Sequence, residues 1–220
     1  MAVLLPDELT FVGWQSSQVL ENTGTAVWTA GGGQLALRLR GTLAVSPQAI
    51  FAVPRNTNQG RSFRDGAQEE AVDSGVRVLG GVTIISPSRM EGDRVRFMPG
   101  QHRPIMICWD PERRRLTAIQ YDQPDGERRY VNDSWDIDGA PYSGPNLILL
   151  KEERSADSEE GQFMVWESRS PALTLSPQQR TEFEQRVLTV SGTDAMLDRL
   201  CREMVGVGLA DLTAAFLPRE

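Results

Sequence analysis

Histidine occurs once in this chain, at position 102, cysteine twice, at 108 and 201, and lysine once, at 151. Each scarcity excludes something. A structural or catalytic zinc site needs several Cys or His ligands at close spacing, and one histidine with two distant cysteines does not supply them. Acyl-transfer chemistry of the Ser-His-acid kind needs a histidine beside a nucleophile. The lone His102 precedes Arg103-Pro104, no G-x-S-x-G element occurs, and a surface position is expected for it. Two cysteines this far apart read as reduced, buried thiols of a cytoplasmic protein rather than as a framework of bridges. No apolar run reaches the roughly 18 residues that cross a bilayer, so no membrane span is expected. The apolar Met1–Leu5 lacks a basic flank and is cut by Pro6 and Asp7, which does not read as a signal peptide. No P-loop or G-x-G-x-x-G follows a strand; the Gly31–Gly33 run lies between two β-like stretches and reads as a turn. No cofactor is therefore expected.

Of the 23 basic side chains, all but Lys151 are arginine, and the 30 acidic ones leave a net charge of −7. That balance disfavours nucleic acid and anionic membranes as partners, because both are polyanions. Arginine suits bidentate binding of carboxylates and phosphates, so local basic clusters remain candidates for small anions.

What the sequence has in quantity is short β-like runs. Leu35, Leu37 and Leu39 alternate with Ala36, Arg38 and Arg40, the period of a half-buried strand. Further runs fall at 25–30, 49–53, 76–79, 82–85, 94–98, 104–109, 116–121, 128–131, 146–150 and 162–167. Breakers such as Gly80-Gly81, Pro99-Gly100, Asp110-Pro111 and Asp125-Gly126 separate them. Asp125-Gly126 predicts a hairpin joining 116–121 to 128–131. No βαβ rhythm precedes residue 170. The expected fold is mainly β within the α+β class: an antiparallel, calycin-like β-barrel over 1–170 with a helical C-terminal extension over 171–220. A β-sandwich with packed helices is the alternative.

Residues 6–12 predict one helical turn. Ser176-Pro177-Gln178-Gln179 reads as a helix start, with Phe183, Val187 and Leu188 on one face. A second helix is predicted from about Asp194, its stripe formed by Met196, Leu197, Leu200, Met204 and Val205, and a third over 209–217. The polar stretches 54–75 and 152–161 read as long loops.

Three constellations bear on function. Asp133, Asp136 and Asp138 resemble the start of a calcium loop, but Pro145 stands where its bidentate acid belongs, so a polar turn is expected. Adjacent acids such as Glu69 and Glu70 read as solvated, and a hydrolase finds no support in them. Arg113–Arg115 and Arg128-Arg129 would cluster across the predicted 116–131 hairpin, either as an anion clamp or as a solvated flank.

Gly13-Trp14-Gln15-Ser16-Ser17-Gln18, Pro145-Asn146-Leu147 and Gly161-Gln162-Phe163-Met164 together resemble elements of the S-type phycobiliprotein lyases of cyanobacteria. Those proteins are lipocalin-like barrels that hold a bilin chromophore and pass it to a cysteine of another protein. Ile148 and Leu150 stand where that family carries arginines. The resemblance implies a ligand-holding barrel without redox chemistry, acting as a chromophore chaperone or lyase on a bilin or another flat anionic molecule. On the strand reading, Trp109 and Tyr121 would line its cavity, and Arg115 and Arg129 would clamp carboxylates. The other expectation is a non-catalytic assembly subunit that docks on a protein partner through the apolar stripe of its C-terminal helices.

Overall fold

A computed structural model describes residues 9–29, 35–56, 75–127, 129–132, 140–152 and 162–217. Eleven strands among them form two antiparallel sheets. The strands are β1 (Thr10–Glu21), β2 (Arg38–Val45), β3 (Ile50–Pro54), β4 (Val76–Leu79), β5 (Val82–Ile85), β6 (Arg94–Phe97), β7 (Ile105–Asp110), β8 (Arg115–Tyr121), β9 (Leu147–Glu152), β10 (Gln162–Arg169) and β11 (Arg180–Ser191). The larger sheet runs β1-β11-β8-β7-β3-β5-β4 and the smaller β2-β10-β9-β6. Helices α1 (Asp194–Val205) and α2 (Leu209–Ala214) come last in the chain.

The layers explain why several strands read as continuous apolar runs rather than alternating ones. One face of the large sheet packs on the small sheet. There Phe51, Met106, Ile119 and Phe183 meet Leu147 and Trp166. The opposite face packs under the helices, where Ile107, Trp109 and Leu116 meet Leu197, Leu200 and Met204. A strand covered on both faces, such as β3, is buried at every position. Gly41 in β2 belongs to the same packing: a Cβ there would lie 2.0 Å from the Trp166 ring, so only glycine lets the indole lie flat across the strand.

This is the sandwich with packed helices. The described strands do not close into a barrel. The large sheet ends at β1 and β4 without joining them, and its inner face packs on a separate sheet instead of curling onto itself. Among the described residues, Phe51, Met106, Ile119, Phe183, Leu147 and Trp166 pack together between the sheets, in the place of the expected ligand cavity.

Four local expectations are corrected. Thr10–Val12 belong to a strand rather than a helical turn; residues 6–8 lie outside the described residues. The predicted helix after Ser176 is a tight turn leading into β11. Gln179 does accept a hydrogen bond from the Ser176 amide, at 3.1 Å, but Gln178 takes φ +65 and turns the chain into the sheet. Burial then falls on Phe183, Gln185 and Val187, a period of two, with Gln185 donating to Ser168 at 2.9 Å. Full-length pairing with β1 on one side and with β8 on the other outweighs local helix signals. The segment 171–220 is thus not simply a helical extension, since β11 sits inside the large sheet. The Asp125-Gly126 turn forms, with Gly126 at φ +77. The chain beyond this turn does not pair with β8, because β7 and β11 already occupy both its edges.

Helix α1 starts where the apolar stripe predicts. Thr193 caps it by accepting from the Met196 amide, and Gly206 ends it at φ 87. Its stripe is buried against the large sheet. The expected docking surface is therefore part of the core.

Candidate anion-binding face

Side chains in a strand alternate between faces, so an R-x-R sequence puts two guanidinium groups on one side. The small sheet carries two such pairs, Arg38/Arg40 on β2 and Arg94/Arg96 on β6, its two edge strands. The intervening residues Leu39, Val95 and Phe97 point into the core. All four arginines therefore lie on the outer face, and all four are exposed.

The registers place these groups in rows. Arg40 lies beside Glu167, Glu167 beside Ile148, and Ile148 beside Arg96. At about 4.8 Å per strand, this row spans roughly 14 Å from β2 to β6. Arg38 lies beside Arg169 in the next row. Glu167 and Arg169 are both buried. Arg169 donates through Nε to Glu167 Oε1 at 2.7 Å and again through Nη2, while Arg38 approaches Glu167 Oε2 at 3.5 Å. A further Arg169 bond, to the Val131 carbonyl at 3.4 Å, ties a loop to the end of β10. On β6, Arg94 is bound by the neighbouring Asp93, whose carboxyl it holds below its usual range by hydrogen bonding. Glu152 shares the outer face at its far end. Five arginines thus share a face with Glu167 and Glu152 in a chain of net charge −7. The arrangement is able to bind an anion. It offers no activated nucleophile.

A second polar cluster closes one end of the space between the sheets. His102, 2% exposed, contacts the Tyr121 hydroxyl through Nε2 at 2.5 Å and packs on Phe97. Burial drives its pKa down to about 4, against a partial upward pull from the Met98 carbonyl. His102 is thus a neutral core residue, not a surface one. Nearby, Asn146 donates to Gln123 at 3.0 Å, and Tyr130 is fully buried, which pushes its phenol up to about 12, with Glu127 adding to the rise. His102, Tyr121, Tyr130 and Asn146 of this cluster are buried, and Gln123 is half-buried at its margin.

The four residues expected as cavity lining and clamp do not converge. Trp109 packs under the helices, whereas Tyr121 faces the small sheet. Arg115 is consumed by the β7–β8 turn: it donates to the Ala44 carbonyl at 2.7 Å and lies 3.7 Å from Asp110. Arg129 is exposed and paired with Glu127. Their predicted meeting needed a hairpin that the occupied edges of β8 exclude. Asp133, Asp136, Asp138, Glu69, Glu70 and Arg128 lie outside the described residues. Among the described residues no group of three or more His, Cys, Asp or Glu side chains is placed to hold a metal, and no helix is long and apolar enough to cross a membrane. Cys108 and Cys201 are free and buried on opposite faces of the large sheet; burial raises both thiols, that of Cys201 to about 12. The arginine face is absent from the sequence expectations, although R-L-R and R-V-R within β-like runs are its visible signal.

Fold and face together define a two-sheet, helix-backed β protein with exposed arginines on both edge strands of its small sheet. By sequence the chain belongs to a family of unknown function, DUF6786, whose model matches residues 1–216. No curated protein and no solved structure matches it.

Proposed function

We propose that this chain holds an anionic small molecule on the outer face of its small sheet, without breaking or making bonds in it. The observation that carries the reading is the placement of Arg38 and Arg40. Both are exposed, and they flank a carboxylate that Arg169 already neutralises. Arg38 shares that carboxylate with Arg169, so part of the guanidinium charge of this pair remains for a ligand. A carboxylate or phosphate suits two guanidinium groups at this spacing. A flat pigment with carboxylate arms, such as a bilin, is the specific version suggested by the lyase resemblance. It would lie on this face, beside Arg38 and Arg40, rather than between the sheets.

Calorimetric titration with inorganic phosphate and with citrate, and absorption spectra of biliverdin mixed with the protein, test the reading. Binding is expected to weaken at least tenfold in the Arg38→Ala/Arg40→Ala double variant and to fall with added salt. An unchanged biliverdin spectrum removes the pigment version alone. Absence of binding by every one of these anions at low salt removes the proposal.

A further inference from the structure

Edge strands are normally shortened, charged or interrupted by proline, because a bare row of N–H and C=O groups recruits another strand. Strand β1 has none of these protections. It is 12 residues long, contains no proline, and has no ionisable side chain between Thr10 and Leu20. It pairs only with β11, so its other edge is open among the described residues. Among the described residues its helix-side face is exposed throughout, and its small-sheet face is exposed from Thr10 to Trp14 and half-buried at Ser16, Gln18 and Leu20. Phe11 and Val19, on the helix side, are 59% and 58% exposed; Val12 and Trp14, on the small-sheet side, are 59% and 49% exposed. The polar side chains on the helix side turn away from the open edge. Gln15 bonds Glu184 and Arg186, and Ser17 bonds Glu182, all on β11. The acidic groups nearest the edge are thereby engaged, and nothing charged meets an incoming strand between Thr10 and Leu20; Glu21 stands at the very end.

We propose that the open edge of β1 pairs with β1 of a second copy of this chain. The sequence of the strand suits its own reverse. With Gln15 on the two-fold axis, Phe11 falls opposite Val19 of the other copy, twice by symmetry, and Thr10 falls opposite Leu20. Each residue meets one of its own parity, so both sheets keep their helices on the same side. The product is a continuous sheet of 14 strands, twice the seven of one copy. Absence of charge matters here, since two copies of net charge −7 repel each other everywhere else. This proposal is independent of anion binding.

Sedimentation equilibrium of the full chain is expected to show a concentration-dependent dimer in the range of roughly 10–100 µM, as suits a modest interface. Phe11→Lys/Val19→Lys changes only exposed positions. It is expected to give a monomer with unchanged circular dichroism and melting temperature. Gln15→Cys treated with a short bis-maleimide is expected to cross-link into a dimer, because the two native thiols are buried. Val78→Cys, on the opposite edge of the sheet, is expected not to. A wild-type monomer throughout this range, or a dimer that survives the double lysine variant, overturns the proposal. So does a dimer that cross-links through Val78→Cys and not through Gln15→Cys.

Discussion

Glu167 is 5% exposed and compensated by the equally buried Arg169. Removing one partner of such a pair leaves the other charge buried and alone. Glu167→Gln is therefore expected to cost about 3 kcal/mol in urea denaturation, whereas Glu167→Leu/Arg169→Leu is expected to lie close to wild type. The same Gln substitution releases Arg38, so phosphate affinity should rise even as stability falls. His102 makes a prediction of opposite kind. Its pKa is about 4 folded, against 6.5 for an ordinary histidine. Between those values the unfolded chain binds the proton more readily, so stability is complete above about pH 6.5 and declines as pH falls toward 4. The ideal limit of that decline is about 3 kcal/mol. Stability curves of wild type and His102→Phe measured across this window are expected to differ in slope, the variant being flatter. Parallel curves would mean that another group titrates there.

At the scale of elements, α1 and α2 supply the second wall of the large sheet. Leu197, Leu200, Met204 and Leu212 cover Ile107, Trp109 and Leu116. Deleting residues 194–217 would expose that apolar face to water, and the truncated chain is expected in the insoluble fraction after expression. A soluble, monomeric body with a cooperative melt would instead restore the helices to a docking role. The turn between β7 and β8 shows how an element consumes side chains that look functional. Asp110 is buried there, which favours its neutral form, but bonds from Ser46 and Arg113 outweigh burial and hold the carboxyl below its usual range. Arg115 completes that turn, and its guanidinium is unavailable to a ligand.

For the molecule as a whole, the positions of most strands and of α1 are legible in the sequence, because alternation, breakers and caps are local signals. Runs such as Ile50–Val53 and Ile105–Trp109 announce buried strands without saying what covers each face. Partnership is not local. Whether Arg180–Ser191 becomes helix or strand depends on the edges offered by β1 and β8. Whether Arg115 and Arg129 meet depends on whether β8 has an edge left. Composition and periodicity therefore determined a β-rich chain without zinc-finger spacing, nucleotide loops or a membrane-spanning helix. Only the tertiary structure decided that two sheets stack, that the C-terminal stripe is core, and that Arg38, Arg40, Glu167 and Arg169 share one face. The physical reason is that burial and strand pairing act between segments far apart in the chain, and the free energy of those contacts exceeds the propensities that a single segment carries.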